Sequence, residues 1–448
     1  QFRAAVNLFD ISTPLPVEST YYLFRKHLDA YSKSPEGSNL FEETFKDITQ
    51  KQAMTFSVSG KTLRMDSTLV GSNIAWYTRY ELAHETLRLY WRILHKSNEL
   101  SRMGEVQFIE LSELMSKEGK SVVYHHDRDE LKVRHRNLGK LIYYVLTVYK
   151  GDTRKEYALL DRLFREQYTI RKDKENPADS DPSPSEEEDV KSEIELKASD
   201  EILSSSLQSP HDAEAAYENK RGKKVKGYAA NITETCEKNQ LNLVTSSELV
   251  PANIGDAPLL MGAIDKSIEV MGTNPEKVHI DGGYYREANV KACKALGIDP
   301  VFTGVKGFLP RYDLEWKNEQ LIVTDKHSGL TYQALKVRPN KRSKGLRYFI
   351  IVDSKRKYFD EPAILTSEQR RKMGQRSQEE LNVRNNVEAT IYQVVHDLRN
   401  GKTRYRGIFR NTLWLLSRVL SINIRRITKY VNKVAEEVVT SHSCVRTA

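Results

Sequence analysis

Three acidic residues far apart in the chain, Asp66, Asp281 and Glu388, have the local setting that metal-dependent phosphoryl chemistry needs. Residues 61–66, KTLRMD, read as a strand ending at Asp66, and 277–281, KVHID, as a short buried strand ending at Asp281. In a sheet flanked by helices, ligands gather at the C-terminal ends of strands. Glu388 falls in a helical run whose apolar side is Val387, Ile391, Val394 and Leu398, which lets its carboxylate point away from that packing. Arg384 stands one turn before it and Arg399 three turns after it on nearly the same face. Two-metal phosphoryl transfer uses such hard oxygen ligands to hold two Mg²⁺ about 3.5–4 Å apart, and neighbouring arginines grip a phosphate bidentately. Taken singly, each residue has a plainer reading: an aspartate after a strand as a cap or turn, Glu388 as a surface glutamate.

Two basic clusters accompany these carboxylates. Lys220, Arg221, Lys223, Lys224 and Lys226 precede a β-rich run, and Lys402, Arg404, Arg406 and Arg410 lie between two helical runs with Tyr405 among them. Clusters of this kind suit the phosphates of a nucleic-acid duplex, which position it without reading sequence; the plainer reading is a solvated face. His125-His126-Asp127 has no partner pair at zinc-site spacing and reads as a solvated loop. Gly282-Gly283 lacks a phosphate-loop pattern and reads as a tight turn beside Asp281. His211-Asp212 reads as a helix cap.

The elements that must position these groups follow from periodicity. Residues 1–60 form a partial helical region, with Tyr22, Leu23, Phe24, Leu28 and Tyr31 at helical spacing. Residues 61–171 hold the first strand and then helices at about 74–97, 107–117 and 129–149. The segment 172–205 is acidic and Pro/Ser-rich, with 12 acidic residues against 3 lysines over 173–201, and is expected to be a disordered linker. Residues 206–307 run from a hairpin-like pair, KVKGYAANITET and LNLVTSSEL, into a β-α-β-α-β alternation, which implies an α/β core with a largely parallel sheet. Residues 308–376 read as a small β-rich insertion, 377–435 as two helices (377–399 and 407–432) whose second packs through Leu413, Leu416, Val419, Leu420, Ile424 and Ile427, and 436–448 as a disordered tail.

Bulk properties narrow the partners. Seventy Lys and Arg against 61 Asp and Glu give a formal charge of +9 on 448 residues, more locally because the acidic segment masks part of it, and a polyanionic partner fits. Cys236, Cys293 and Cys444 form no CxxC pair, so neither a disulfide framework nor a thiolate zinc site is encoded, which fits a reducing cytoplasm. No apolar run approaches the ~18 residues of a membrane helix, so no membrane partner is expected. The chain opens at Gln1 without an initiator Met, and further N-terminal residues are expected.

Four stretches carry a resemblance: RMDSTLVGSNIAWYTRYEL, SPHDAEAAYENKRGKKVKGYAANITET, HIDGGYYREANVKACKALGI and RNNVEATIYQVVHDLRNGKTRYRG. They resemble, in the same order, the four catalytic-domain blocks of bacterial insertion-sequence DDE transposases, and PVESTYYLFRKHL is similar to the helical segment that precedes that domain. The resemblance implies an RNase H-like mixed sheet flanked by helices, with a large helical insertion after the first strand and a small β insertion before the last catalytic helix. It further implies Asp66, Asp281 and Glu388 as catalytic metal ligands for two Mg²⁺ or Mn²⁺ ions, and duplex DNA, as element ends and target, as partner. A homodimer on paired ends and a nucleoid-associated cytoplasmic protein would follow. Relatives often carry a tyrosine and a lysine flanking the arginine and glutamate; here those positions are Leu381 and Val395, and Arg399 or His396 stand nearest as substitutes beside Arg384. A catalytically degenerate DNA-binding relative and a hydrolytic nuclease of similar fold stay open as alternatives.

Overall fold

The computed structural model describes residues 14–117, 119–124, 126–171, 193–220, 222–305, 307, 309–337 and 347–445. Among the described residues two helices come first, α1 (Glu18–Ser32) and α2 (Leu40–Thr55). α1 buries none of its residues, so the apolar spacing read at Tyr22, Leu23 and Phe24 faces outward, whereas α2 buries Phe45, Thr49 and Ala53.

β1 runs from Thr62 to Gly71, so the strand does not end at Asp66 as its sequence suggests. The cause lies in its partner. β5 (Lys223–Thr235) pairs antiparallel with β1 from Leu63 to Gly71 and carries the polar Asp66, Ser67 and Thr68 through the sheet. β6 (Val244–Pro251) and β4 (Ala216–Lys220) pair with the other edge of β5, while β7 (Lys277–Ile280) and β8 (Asp299–Phe302) extend the sheet in parallel beyond β1. The order β6-β5-β1-β7-β8 is therefore mixed, antiparallel on one side of β1 and parallel on the other, which corrects the largely parallel sheet expected from the β-α-β-α-β alternation, because the hairpin strands β4–β6 join the same sheet. It is compatible with the RNase H-like arrangement. α8 (Leu259–Met271) and α9 (Glu287–Ala295) supply the crossovers, and Leu63, Met65, Leu260, Ile264, Val278 and Ile280 pack beneath them.

The helical stretch after β1 begins at Arg79, not near residue 74: Thr78 and Glu81 form a capping box that starts α3 (Arg79–Lys96), an N-cap interaction of about 1 kcal/mol. α4 (Glu105–Ser116), α5 (Gly119–Tyr124), α6 (Arg128–Val148) and α7 (Lys155–Gln167) follow. They enclose a core of their own, with Tyr90, Leu94, Leu138, Ile142, Leu160 and Leu163 buried. β2 (Tyr168–Arg171) pairs with β3 (Glu193–Leu196), which corrects the expected linker: of 172–205, residues 172–192 lie outside the described residues, and from Glu193 the chain is ordered by that pairing.

The β-rich segment expected over 308–376 holds two three-stranded sheets, β9–β11 (Tyr312–Lys317, Gln320–Asp325, Thr331–Gln333) and β12–β14 (Leu335–Val337, Arg347–Val352, Lys355–Asp360). Leu314, Leu321, Val323, Tyr348 and Ile350 close it against Ile364 of α10 (Glu361–Gln375). The single helix expected over 377–399 is broken into α11 (Gln378–Asn382), a 3₁₀ turn (Val383–Asn386) and α12 (Val387–Val395). α13 (Ile408–Val445) continues through most of the expected disordered tail; Leu413, Leu416 and Val419 are buried, but Ile424 is exposed. Among the described residues, no helix is long and apolar enough to cross a membrane.

Candidate active site

Two of the three expected carboxylates are brought near each other, and the third is not. β1 and β7 pair in parallel with Thr62 opposite Lys277, Leu63 opposite Val278 and Arg64 opposite His279. That register runs on toward Asp66 in β1 and toward Asp281, the residue just past the end of β7, and the two carboxylates are near enough for the charge of Asp281 to act on Asp66. β7 stops at Ile280 because Asp281 caps the 3₁₀ turn Gly282–Tyr284, its Oδ1 accepting the Gly283 amide at 2.6 Å. The tight turn read from Gly282-Gly283 is present, and close packing requires both glycines: a Cβ on Gly282 would lie 2.9 Å from the Gly304 carbonyl oxygen.

Asp66 is buried, with 8% of its surface exposed. Its Oδ1 accepts the Ser67 amide at 2.9 Å and its Oδ2 accepts Arg384 Nη2 at 2.5 Å. Burial pushes this carboxyl above its usual range; the Arg384 guanidinium and the Ser67 amide pull against that, and the charge of Asp281 adds to it. A carboxylate so desolvated is one whose ionised form a cation would favour.

Glu388 does not join the aspartates directly. It lies in the first turn of α12 with its side chain 63% exposed, and it meets Arg384 Nη1 at 3.6 Å. Arg384, in the 3₁₀ turn, thus spans Asp66 and Glu388, and its buried Nε has no hydrogen-bond partner. Among the described residues, no three His, Cys, Asp or Glu side chains converge closely enough to hold a metal ion. The donor set still suits a hard divalent cation at the Asp66–Asp281 pair: both are oxygen donors brought together by the β1–β7 register, and one is desolvated.

The structure adds a carboxylate that sequence reasoning missed. Asp256, in the loop before α8, accepts the Ser67 hydroxyl on Oδ1 and lies against Gly283, where a Cβ would come within 2.5 Å of its Oδ2. Beside it, the buried Tyr284 donates its hydroxyl to Asn231 at 2.6 Å. Burial first, then the charges of Asp256, Asp66 and Asp281, drive that phenol well above its usual range. Gly255-Asp256 sits in an ordinary turn sequence, and no local pattern distinguishes it.

The other candidates are placed as follows. Lys223 and Lys224 are exposed at the β4–β5 hairpin, Lys220 reaches within 3.7 Å of Asp256, and Arg221 lies outside the described residues. Lys226 is turned inward under Trp76, donates to the Tyr77 carbonyl, and has its ammonium pKa lowered by burial. The second basic cluster docks at the far end of β1: Thr403 N donates to the Gly71 carbonyl at 2.9 Å, Lys402 to that of Ile74 at 2.7 Å, and Arg406 to that of Asn73 at 2.7 Å. Arg404 is exposed there, Arg410 lies over the Tyr22 ring, and Arg399, Lys402 and Arg404 line a cleft of about 590 Å³ with Trp414. Because α12 ends at Val395, Arg399 falls in a separate 3₁₀ turn, not on the helix face of Glu388; His396 is exposed against Tyr392. His211-Asp212 caps no helix. His211 meets Glu85 at 3.0 Å, and the buried Asp212 accepts Ser72 Oγ, the Tyr228 hydroxyl and the Gly407 amide, tying the basic loop to the sheet. His125 lies outside the described residues, and Asp127 caps α6.

A family described as the transposase DDE domain matches residues 200–424, half of the chain. The chain belongs to the DDE transposase family. Members of that family generally use a divalent metal. Asp281 and Glu388 lie inside the matched stretch of this transposase, whereas Asp66 lies ahead of it and is brought in by the β1–β7 register. Among curated proteins and among solved structures, nothing matches the chain.

Proposed function

We propose that this chain cuts and joins DNA: water attacks a phosphodiester at an element end, and the freed 3′-hydroxyl then attacks target DNA, both as in-line displacements at phosphorus. The observation that carries the proposal is the parallel β1–β7 register, which brings Asp281, just past the end of β7, near Asp66 in β1, with Arg384 reaching Asp66 from the segment that bears Glu388. Asp66 and Asp281, completed by Glu388, would hold Mg²⁺ or Mn²⁺. Two such ions, when bound, activate the nucleophile and stabilise the leaving oxygen. Arg384 has an unpartnered buried donor for a phosphate oxygen, and a guanidinium drawn from Asp66 to that phosphate would release the carboxylate. Lys220, Lys223, Lys224, Lys402, Arg404, Arg406 and Arg410 supply the charge that holds the duplex backbone, independent of sequence.

One observation favours a second reading, a DNA-binding relative without catalysis: Glu388 is exposed and shares no ion position with the aspartates. Labelled DNA carrying the ends of the element that encodes the chain separates the two when incubated with Mg²⁺. Nicked and joined products are expected, and Asp281→Asn should remove them by more than the ~10–100-fold that loss of a mere supporting partner of a metal ligand costs, with DNA affinity nearly unchanged. A shift of the DNA without nicking by the wild type would establish the binding-only reading, nicking without joined products would establish a nuclease, and retained cleavage by Asp281→Asn would remove that residue from the mechanism.

A further inference from the structure

Near the end of β5 a carboxylate outside the site just described is completely buried. Glu234 stands directly across from Arg64 in the β1–β5 pairing, at a bulge between β5 and β6, a feature that re-aims a side chain. Its Oε1 accepts Arg64 Nε at 2.5 Å. Its Oε2 accepts the Thr390 hydroxyl and Arg426 Nη2, both at 2.7 Å, and Arg426 also donates to Thr390 Oγ1 at 2.6 Å. Arg64 lies two residues before Asp66 and also donates to the Val383 carbonyl at 3.4 Å, next to Arg384. Thr390 lies two residues after Glu388 on α12. One buried carboxylate thus joins the Asp66 strand, the Arg384 turn, the Glu388 helix and α13.

Burying a carboxylate against two partly exposed guanidiniums is a poor way to gain stability, because desolvation offsets much of the attraction and an apolar contact of equal volume would hold the helix as well. Directional hydrogen bonds do something that apolar packing does not. Val387 and Val394 already bury α12 against the sheet, but methyl groups allow it to turn about its axis; the hydroxyl of Thr390 held by Glu234 does not. Residues on a helix are about 100° apart, so anchoring Thr390 also sets the direction of Glu388.

We infer that Glu234 is a positioning residue, which sets the rotation of α12 and hence where Glu388 and Arg384 stand relative to Asp66. The inference rests on the proposed cleavage function, and its test is read at two levels. Thr390→Val, Thr390→Ser and Glu234→Gln are compared with the full-length wild type. Amide hydrogen exchange of residues 383–395 is measured without metal, and the Mn²⁺ concentration for half-maximal cleavage of labelled DNA is measured in parallel. Thr390→Val is expected to speed exchange in that segment about 10-fold, the order expected from a lost buried hydrogen bond, and to raise the half-maximal Mn²⁺ several-fold with DNA affinity unchanged. Thr390→Ser should behave as wild type, and Glu234→Gln should go further in the same direction. A folded Thr390→Val protein with wild-type exchange and wild-type Mn²⁺ dependence would overturn the inference, as would one that loses only melting temperature. Should Glu234→Gln not fold, the Thr390 pair decides. Absence of cleavage by the wild type would count against the proposed function alone, since the exchange comparison still tests the positioning.

Discussion

Gly283 offers a direct test of how tightly the aspartates are held. It lies in the 3₁₀ turn capped by Asp281, and a Cβ there would stand 2.5 Å from Asp256 Oδ2 and 2.7 Å from Asp281 Oδ1. Against an ordinary contact of 3.4 Å or more, these are short by about 0.7–0.9 Å. Neither carboxylate can retreat freely, because Asp281 Oδ1 holds the Gly283 amide and Asp256 holds the Ser67 hydroxyl beside Asp66. Gly283→Ala should therefore displace one or both by on the order of 0.5–1 Å, and a misplacement of about 1 Å costs around 10²-fold in rate. Overpacking of this kind costs about 1–3 kcal/mol in stability, partly offset by the ~0.4–1 kcal/mol that alanine contributes through the unfolded state. Cleavage of labelled DNA ends in Mg²⁺, DNA affinity and thermal melting are measured together, with Gly262→Ala as control. Gly262 is exposed in α8 with nothing within 4 Å of its added Cβ, and that variant should cleave normally. If the chain cleaves DNA as proposed, the expected pattern is a roughly 100-fold slower Gly283→Ala protein that binds DNA normally. Wild-type cleavage by Gly283→Ala, or a loss confined to DNA binding, would refute the idea that this glycine lets the aspartates approach.

Two further outcomes concern parts away from the aspartates. His135 is buried edge-on to Tyr80 and Tyr168, and desolvation, aided by the charge of Arg79, lowers its imidazole to about 4. The folded state keeps it neutral, so its contribution is fully present above the unfolded value of 6.5 and is lost as pH falls through the window from 6.5 to about 4, up to roughly 3 kcal/mol. His135→Phe keeps the ring contacts and should flatten that part of the melting-temperature profile between pH 7.5 and 4.5; parallel profiles for the two proteins would count against it. Arg404→Ala should weaken DNA binding similarly for all sequences and reduce the slope of log affinity against log salt by about one, measured from about 50 to 200 mM salt. An unchanged slope would place Arg404 off the DNA.

Much of the site was legible because its signals are local. The DGG sequence after a short apolar strand marks a turn, and Asp281 caps one. Arg384 and Glu388 at i, i+4 read as neighbours, and they meet across a 3₁₀ turn even though the expected continuous helix is broken there. Other features left no local trace. The polar stretch after Met65 gives no reason to continue β1; nine successive pairs with β5, from Leu63 to Gly71, do. Asp256 and Glu234 are unremarkable as sequence, one in a turn and one late in a β run, and only packing shows that one lies beside the aspartates and that the other joins two arginines to Thr390.

The residue order alone determined the α/β alternation, the three blocks that fall within the stretch matched by the transposase family, and the acidic and basic residues from which a site could be built. Tertiary structure decided that Asp66, 215 residues before Asp281, comes near it, that Arg384 stands between Asp66 and Glu388, and that a buried glutamate ties their elements together. The reason is physical: turns and caps are set by hydrogen bonds within a few residues, whereas strand register and helix docking are set by pairing across the whole chain.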